Sequence, residues 1–255
     1  MNGPTATVAL YVLIEARRSA LPWLAAASVA AALALAGFLS RVAITETAAL
    51  QVAAGAALLR ACAVFLLATH VVASVVRETN DKGQELALAL PISRPAWYLG
   101  KLLGFSATGA LIATLFALPL LAWAKPSDLA AWWIALAAEA AVIAAASLLF
   151  ASALGQTVAA IAAVLGLYLL ARSMSAIQAI AGSQPGGDSA AGLAARWLSD
   201  GLALLLPRLD ALPRGDWLLY GAPSVSELAP ALAGLAITFA LLAAAGLFDF
   251  SRRNL

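Results

Sequence analysis

Six stretches of this chain run for about twenty residues or more with almost no charge. A helix of that length spans roughly 30 Å, the thickness of a bilayer's hydrocarbon core. The chain as a whole is 64% hydrophobic and 11% charged, whereas a soluble domain is nearer half apolar and a quarter charged. No soluble fold could bury so much apolar surface, so the solvent over most of it must be lipid. Backbone in lipid has to satisfy its own hydrogen bonds, which leaves helices or closed barrels. The runs here are rich in alanine and leucine and lack the ten-residue alternation of a barrel strand. The expectation is an all-α membrane protein forming a single transmembrane domain over residues 1–255.

Spans are expected at about 21–40, 52–76, 102–124, 129–154, 157–180 and 228–248. Before the first, Val8, Tyr11, Val12 and Ile14 are interleaved with Glu15, Arg17 and Arg18, the pattern of an amphipathic helix lying at the membrane surface. That first apolar run is too long for a signal peptide and lacks a small-residue cleavage site, so it is expected to stay as a helix. Gly155-Gln156-Thr157 predicts a tight turn between the fourth and fifth spans. The external loop, 182–227, opens on the linker-like Gly182 to Asp188. It continues into a stripe of Leu193, Trp197, Leu198, Leu202 and Leu205 that suits a short interfacial helix. On that helix Arg196 and Asp200 stand four apart and can pair.

The basic residues suggest an orientation. One side collects Arg17, Arg18, Arg77, Lys82, Arg94, Lys101, Arg252 and Arg253. The other holds Arg41, Lys125, Arg196, Arg208 and Arg214, the last three interleaved with acids. Positive residues crowd the cytoplasmic side of membrane proteins, which predicts a multi-pass protein with both termini cytoplasmic. The formal net charge of +2 argues against an acidic partner such as nucleic acid. The single cysteine, Cys62, excludes an intrachain disulfide and reads as a packing residue.

Between spans two and three, residues 77–101 read RETNDKGQELALALPISRPAWYLGK. Arg77, Glu78, Asp81, Lys82 and Glu85 would present charges of both signs, a surface suited to docking a soluble partner. Leu86, Leu88 and Leu90 would hold the segment against the bundle, and Pro91 and Pro95 restrict its return. A solvated loop that only satisfies the charge bias is the alternative. Glu78, Gly83, Glu85, Pro91-Ile92-Ser93-Arg94 and Tyr98-Leu99-Gly100-Lys101 together resemble the permeases of type-2 ABC exporters, as does the six-span layout. The resemblance implies that this loop is a coupling helix, with Arg77, Glu78, Asp81, Lys82, Gly83, Glu85 and Arg94 docking a separate soluble ABC ATPase. It further implies two permease copies, a bacterial inner-membrane location, and room for a periplasmic accessory protein. ATP and Mg would be held by the ATPase, since this chain has no phosphate-gripping G-x-x-x-x-G-K-[ST] sequence and no cofactor of its own is expected. Pro207 to Gly221 (PRLDALPRGDWLLYG) also resembles a subgroup that includes nitrous-oxide-reductase maturation permeases.

Ionisable side chains within spans are costly and therefore functional candidates. Arg60 and His70 lie in the second span and Glu139 in the fourth. Glu139 is expected to pair with Arg60 or another helix's polar group, or to face a wet cavity. A proton relay through Glu139 and His70 is a further reading. Arg172, near the end of the fifth span, is expected to snorkel outward. With one histidine in the chain, no histidine-cluster metal site can form within it. No catalytic residue suggests itself, because scattered serines and a single histidine make no nucleophile–base pair. Besides the exporter, two functions stay open: a gradient-driven secondary transporter, although no internal repeat or proline-broken helix pair supports it, and a non-transporting subunit of a maturation complex. The alanine- and leucine-rich spans do not identify a cargo.

Overall fold

A computed structural model of the chain describes residues 3–42, 46–82, 92–183, 190–212 and 215–252. Among these the secondary structure is helical throughout, with no strand. Helix α1 (Pro4–Arg18) lies at what we term the basal end of the bundle. The long helices follow as α2 (Leu21–Val42), α3 (Thr47–Asn80), α4 (Arg94–Leu120) and α5 (Pro126–Leu154). Then come α6 (Thr157–Arg172), α7 (Met174–Ser183), α8 (Ala190–Leu205), a 3-10 turn at Leu209–Ala211, the short α9 (Trp217–Tyr220) and α10 (Val225–Arg252). Five of these helices are long and apolar enough to cross a membrane. α6 and α7 together make a sixth candidate, bent by 47° at their junction.

Local chemistry sets the boundaries. Pro4, Pro95 and Pro126 stand in the first turns of α1, α4 and α5, where a missing N–H costs nothing. α5 stops at Gly155, whose φ of 63° places it in the left-handed region while its N–H returns to the Ala151 carbonyl. That is the tight turn the Gly155-Gln156-Thr157 sequence predicts.

α5 is the axis of the bundle, packed against α3, α4, α6 and α10. Its small residues permit close approach: Ala144, Ala145 and Ala146 are fully buried. At Gly109 of α4 an added Cβ would stand 2.9 Å from both Ala140 of α5 and Leu67 of α3. Three helices therefore cross where only glycine fits. α2 and α10 are peripheral, with most of their spanning surface exposed.

At the basal end the start of α4 and the end of α10 are tied together. Trp97 stacks on Phe250 with ring centroids 5.0 Å apart, and Arg94 Nη1 donates to the Ser251 carbonyl at 3.2 Å. α1 does more than rest on a membrane surface. Val12 and Ala16 are buried, and Val8 and Val12 sit over Gly100 and Gly104 of α4, where an added Cβ would lie 2.6 Å from each valine's own Cβ. The spacing Gly100-x-x-x-Gly104 is a small-residue seat for another helix. Ile14 of α1 remains exposed, as does most of Tyr11 at the edge of this contact.

Two expectations change in detail. Charge alone places Arg77 to Lys101 in a loop, but α3 continues to Asn80 and α4 begins at Arg94, so Arg77, Glu78, Arg94 and Lys101 are helical. Gly83, Glu85 and the rest of residues 83–91, which carry most of the expected coupling helix, lie outside the described residues. The interfacial helix expected in the external loop corresponds to α8. Its Asp200 accepts from Gln178 Nε2 of α7 at 3.3 Å, while the Arg196 side chain lies outside what is described.

Candidate functional site

Two polar constellations stand out against the apolar bundle. The first is basal, where α1, the end of α3 and the start of α4 enclose an open cleft of about 640 Å³. α3 reaches past its buried residues and exposes Arg77, Asp81 and Lys82, while Glu78 turns half-inward. There it meets Lys101, which is 1% exposed. Lys101 Nζ and Glu78 Oε2 approach to 2.6 Å, in an orientation that makes the contact ionic without an aligned hydrogen bond. The ammonium is lined by aromatic rings, 5.6 Å from the centroids of Tyr11 and Trp97 and 5.9 Å from that of Phe105. Ring faces and one carboxylate replace the water this cation gives up. Beside it Ser74 Oγ donates to Glu15 Oε1 at 2.7 Å, tying α3 to α1.

The arrangement fastens three helices into one basal unit. The ends of α3 and α4 are joined by an ion pair, and α1 is joined to α4 by the glycine seat and to α3 by Glu15. Replacing Lys101 with Met should remove the pair and lower stability by about 2 kcal/mol, between the values for exposed and buried pairs. Thermal melting of the purified protein checks this; an unchanged midpoint would mean the pair holds nothing together.

The second constellation is distal and buried. Glu139 of α5 is fully buried, and Arg60 of α3 with Arg172 and Tyr168 of α6 stand around its carboxylate. Neither carboxylate oxygen is in line for a conventional hydrogen bond. Arg172 and Arg60 are the cations that act on Glu139 through space, with Tyr168 beside them. Arg172 does not simply snorkel. Its Nη1 donates to the Leu209 carbonyl and, at 2.6 Å, to the Leu212 carbonyl. The guanidinium thus clamps the 3-10 turn between α8 and α9 onto the end of α6, just where that span bends. Leu209 and Leu212 are themselves buried, so the clamp and an apolar plug act together. Nearby, Asp128 Oδ1 accepts from the Ala222 backbone at 3.0 Å, holding the chain between α9 and α10 against the start of α5.

His70 borders the basal cluster and not the distal one. It packs edge-on against Phe105 at 6.1 Å, and its charged neighbours are Glu15, Arg77 and Lys101 at the basal end. Those of Glu139 are Arg60 and Arg172, so the two share none. Among the described residues no group of three or more His, Cys, Asp or Glu side chains comes together that could hold a metal ion.

Glu15, Ser74, Trp97 and Tyr168 do not emerge from the sequence, because each gains its role from a neighbour distant in the chain. The seat at Gly100 and Gly104 has a readable signal in its four-residue spacing. Compared with known protein families and with curated proteins, the sequence matches no family model and no curated protein.

Proposed function

We propose that this chain is the membrane-spanning permease of an ATP-driven exporter of the type-2 ABC class, with its basal end in the cytoplasm of a bacterium and a second copy completing the pathway. A soluble ATPase subunit docks on the segment joining α3 to α4 and supplies the ATP and Mg sites. The observation that carries this reading is the basal unit. Exposed charges of both signs on the end of α3 stand directly above an ion pair that joins α3 to α4. A push on the joining segment would therefore move two spans and α1 as one body. Rigid-body rocking of this kind is how alternating access is driven. The basic residues gathered at the same end support its cytoplasmic placement.

The test is a pull-down of the tagged protein from its native host with partners identified by mass spectrometry, followed by ATP hydrolysis in the reconstituted complex. Lys82→Glu and Glu85→Lys variants should fold normally and lose at least ten-fold in ATPase retention, because reversing a docking charge creates a like-charge contact worth 1.4 kcal/mol or more. Equal retention by wild type and both variants would refute docking at this segment. The buried Glu139 favours a second reading, gradient-driven transport. It would be supported if transport in vesicles followed an imposed proton gradient without ATP and ended in Glu139→Gln.

A further inference from the structure

α2 packs along α3 and meets α4 at only a few places. The gap left between α2 and α4 is closed at its basal end by α1, giving a wedge of about 380 Å³ that opens sideways from the bundle. Its walls are apolar: Leu21 and Ala25 from α2 face Leu111, Ile112 and Leu115 from α4. Leu111 is 62% exposed, so the wedge communicates with whatever surrounds the spans. Thr108, also in the wall, spends its hydroxyl on the Gly104 carbonyl at 2.9 Å and offers no donor. The one charged side chain lining the wedge is Arg17, in the last turn of α1 and one turn ahead of α2. It is exposed and has no ion-pair partner among the described residues.

We propose that this wedge binds one anionic phospholipid, with an acyl chain between α2 and α4 and the headgroup phosphate on Arg17. The charge sits where the first span leaves the hydrocarbon, which is the depth of the phosphates, and the slot beneath it runs along the spans toward the bilayer centre. A cation above an apolar slot matches an amphiphile carrying a negative head. A zwitterionic lipid sets its own cation beside the phosphate and so offsets the attraction to Arg17, and a soluble phosphate would leave the slot unfilled. Arginine suits a phosphate because its planar fork donates two parallel hydrogen bonds.

The test uses the full chain in phosphatidylcholine discs doped with phosphatidylglycerol whose acyl chain bears a photoreactive diazirine. Native mass spectrometry counts retained lipid, and peptide mapping locates the label. The expected result is preferential retention of one phosphatidylglycerol per chain, with label on 21–25 of α2 and 108–115 of α4. Arg17→Gln should lower that retention about five-fold, the effect of one surface cation on anionic lipid, while Arg18→Gln leaves it unchanged. Ala25→Phe, which fills the wedge, should displace the label. Soluble glycerophosphate should not compete. The proposal is overturned if retention is equal for the two lipids, or if Arg17→Gln matches wild type or Arg18→Gln. Label spread around the whole bundle, or crosslinks from the wedge to a second copy, would overturn it equally.

Discussion

Replacing Glu139 with Leu should destabilise the protein by about 3 kcal/mol, the lower end for breaking a buried ionic group by removing one partner. The carboxylate is fully buried, and Arg60 and Arg172 are both close enough to act on it. Without it two like charges on α3 and α6 face each other across an apolar axis. The cost is then the repulsion and desolvation of the guanidinium groups more than the loss of any contact Glu139 made. A double substitution distinguishes the two. Adding Arg172→Met to Glu139→Leu should recover part of the loss, so that the pair is less destabilising than the sum of the singles. Denaturation of the reconstituted protein with a helicity readout provides the numbers. Strict additivity would show that Glu139 and Arg172 do not sense one another. A wild-type melt for Glu139→Leu would remove the carboxylate from any structural role.

The second large effect is expected at the α1 seat. In Gly104→Leu the new Cβ would lie 2.6 Å from Val12 Cβ and 3.0 Å from the Ala9 carbonyl oxygen. Backbone cannot swing aside as a flexible side chain does, so α1 must lift from α4 or the helices must shift. Overpacking of this kind costs roughly 1–3 kcal/mol. Gly37→Leu is the matched control, since nothing lies within 4 Å of the position of its Cβ. It should fall within about 0.5 kcal/mol of wild type. The readout can be made specific to α1 with Val12→Cys in a background where Cys62 is serine. Val12 is fully buried, so this thiol should resist maleimide in the parent and react promptly once Gly104→Leu is added. Continued protection would mean that α1 tolerates a side chain in its seat.

These two sites show what the sequence could and could not disclose. The spans were legible because their signal is one-dimensional: an apolar run longer than the membrane is thick needs no partner to be read. The close approach at Gly104 was partly legible, since four-residue spacing of glycine marks a seat, although nothing in the sequence names α1 as its occupant. The surroundings of Glu139 were not legible. Depth along a span can be counted from its ends, but the direction a side chain faces depends on how two helices are rotated about their axes. Arg172 shows the same limit. Its position at the end of a span predicts snorkelling, whereas its acceptors are carbonyls of a segment thirty-seven and forty residues further on. Lys101 was read as a loop cation because charge counts toward loops. In the fold, aromatic rings and Glu78 let helix α4 keep it inside.

The clamp on Leu209 and Leu212 also imposes an order on biogenesis. When α6 first enters the membrane, the carbonyls that Arg172 will hold have not yet been made, and forty residues must follow before Leu212 arrives. Until then the guanidinium faces only groups already in place, Glu139 among them, and the clamp beside the bend between α6 and α7 is still open. The distal end of that span is therefore completed late, by chain delivered after it, and an assembly intermediate halted before residue 209 would lack the clamp.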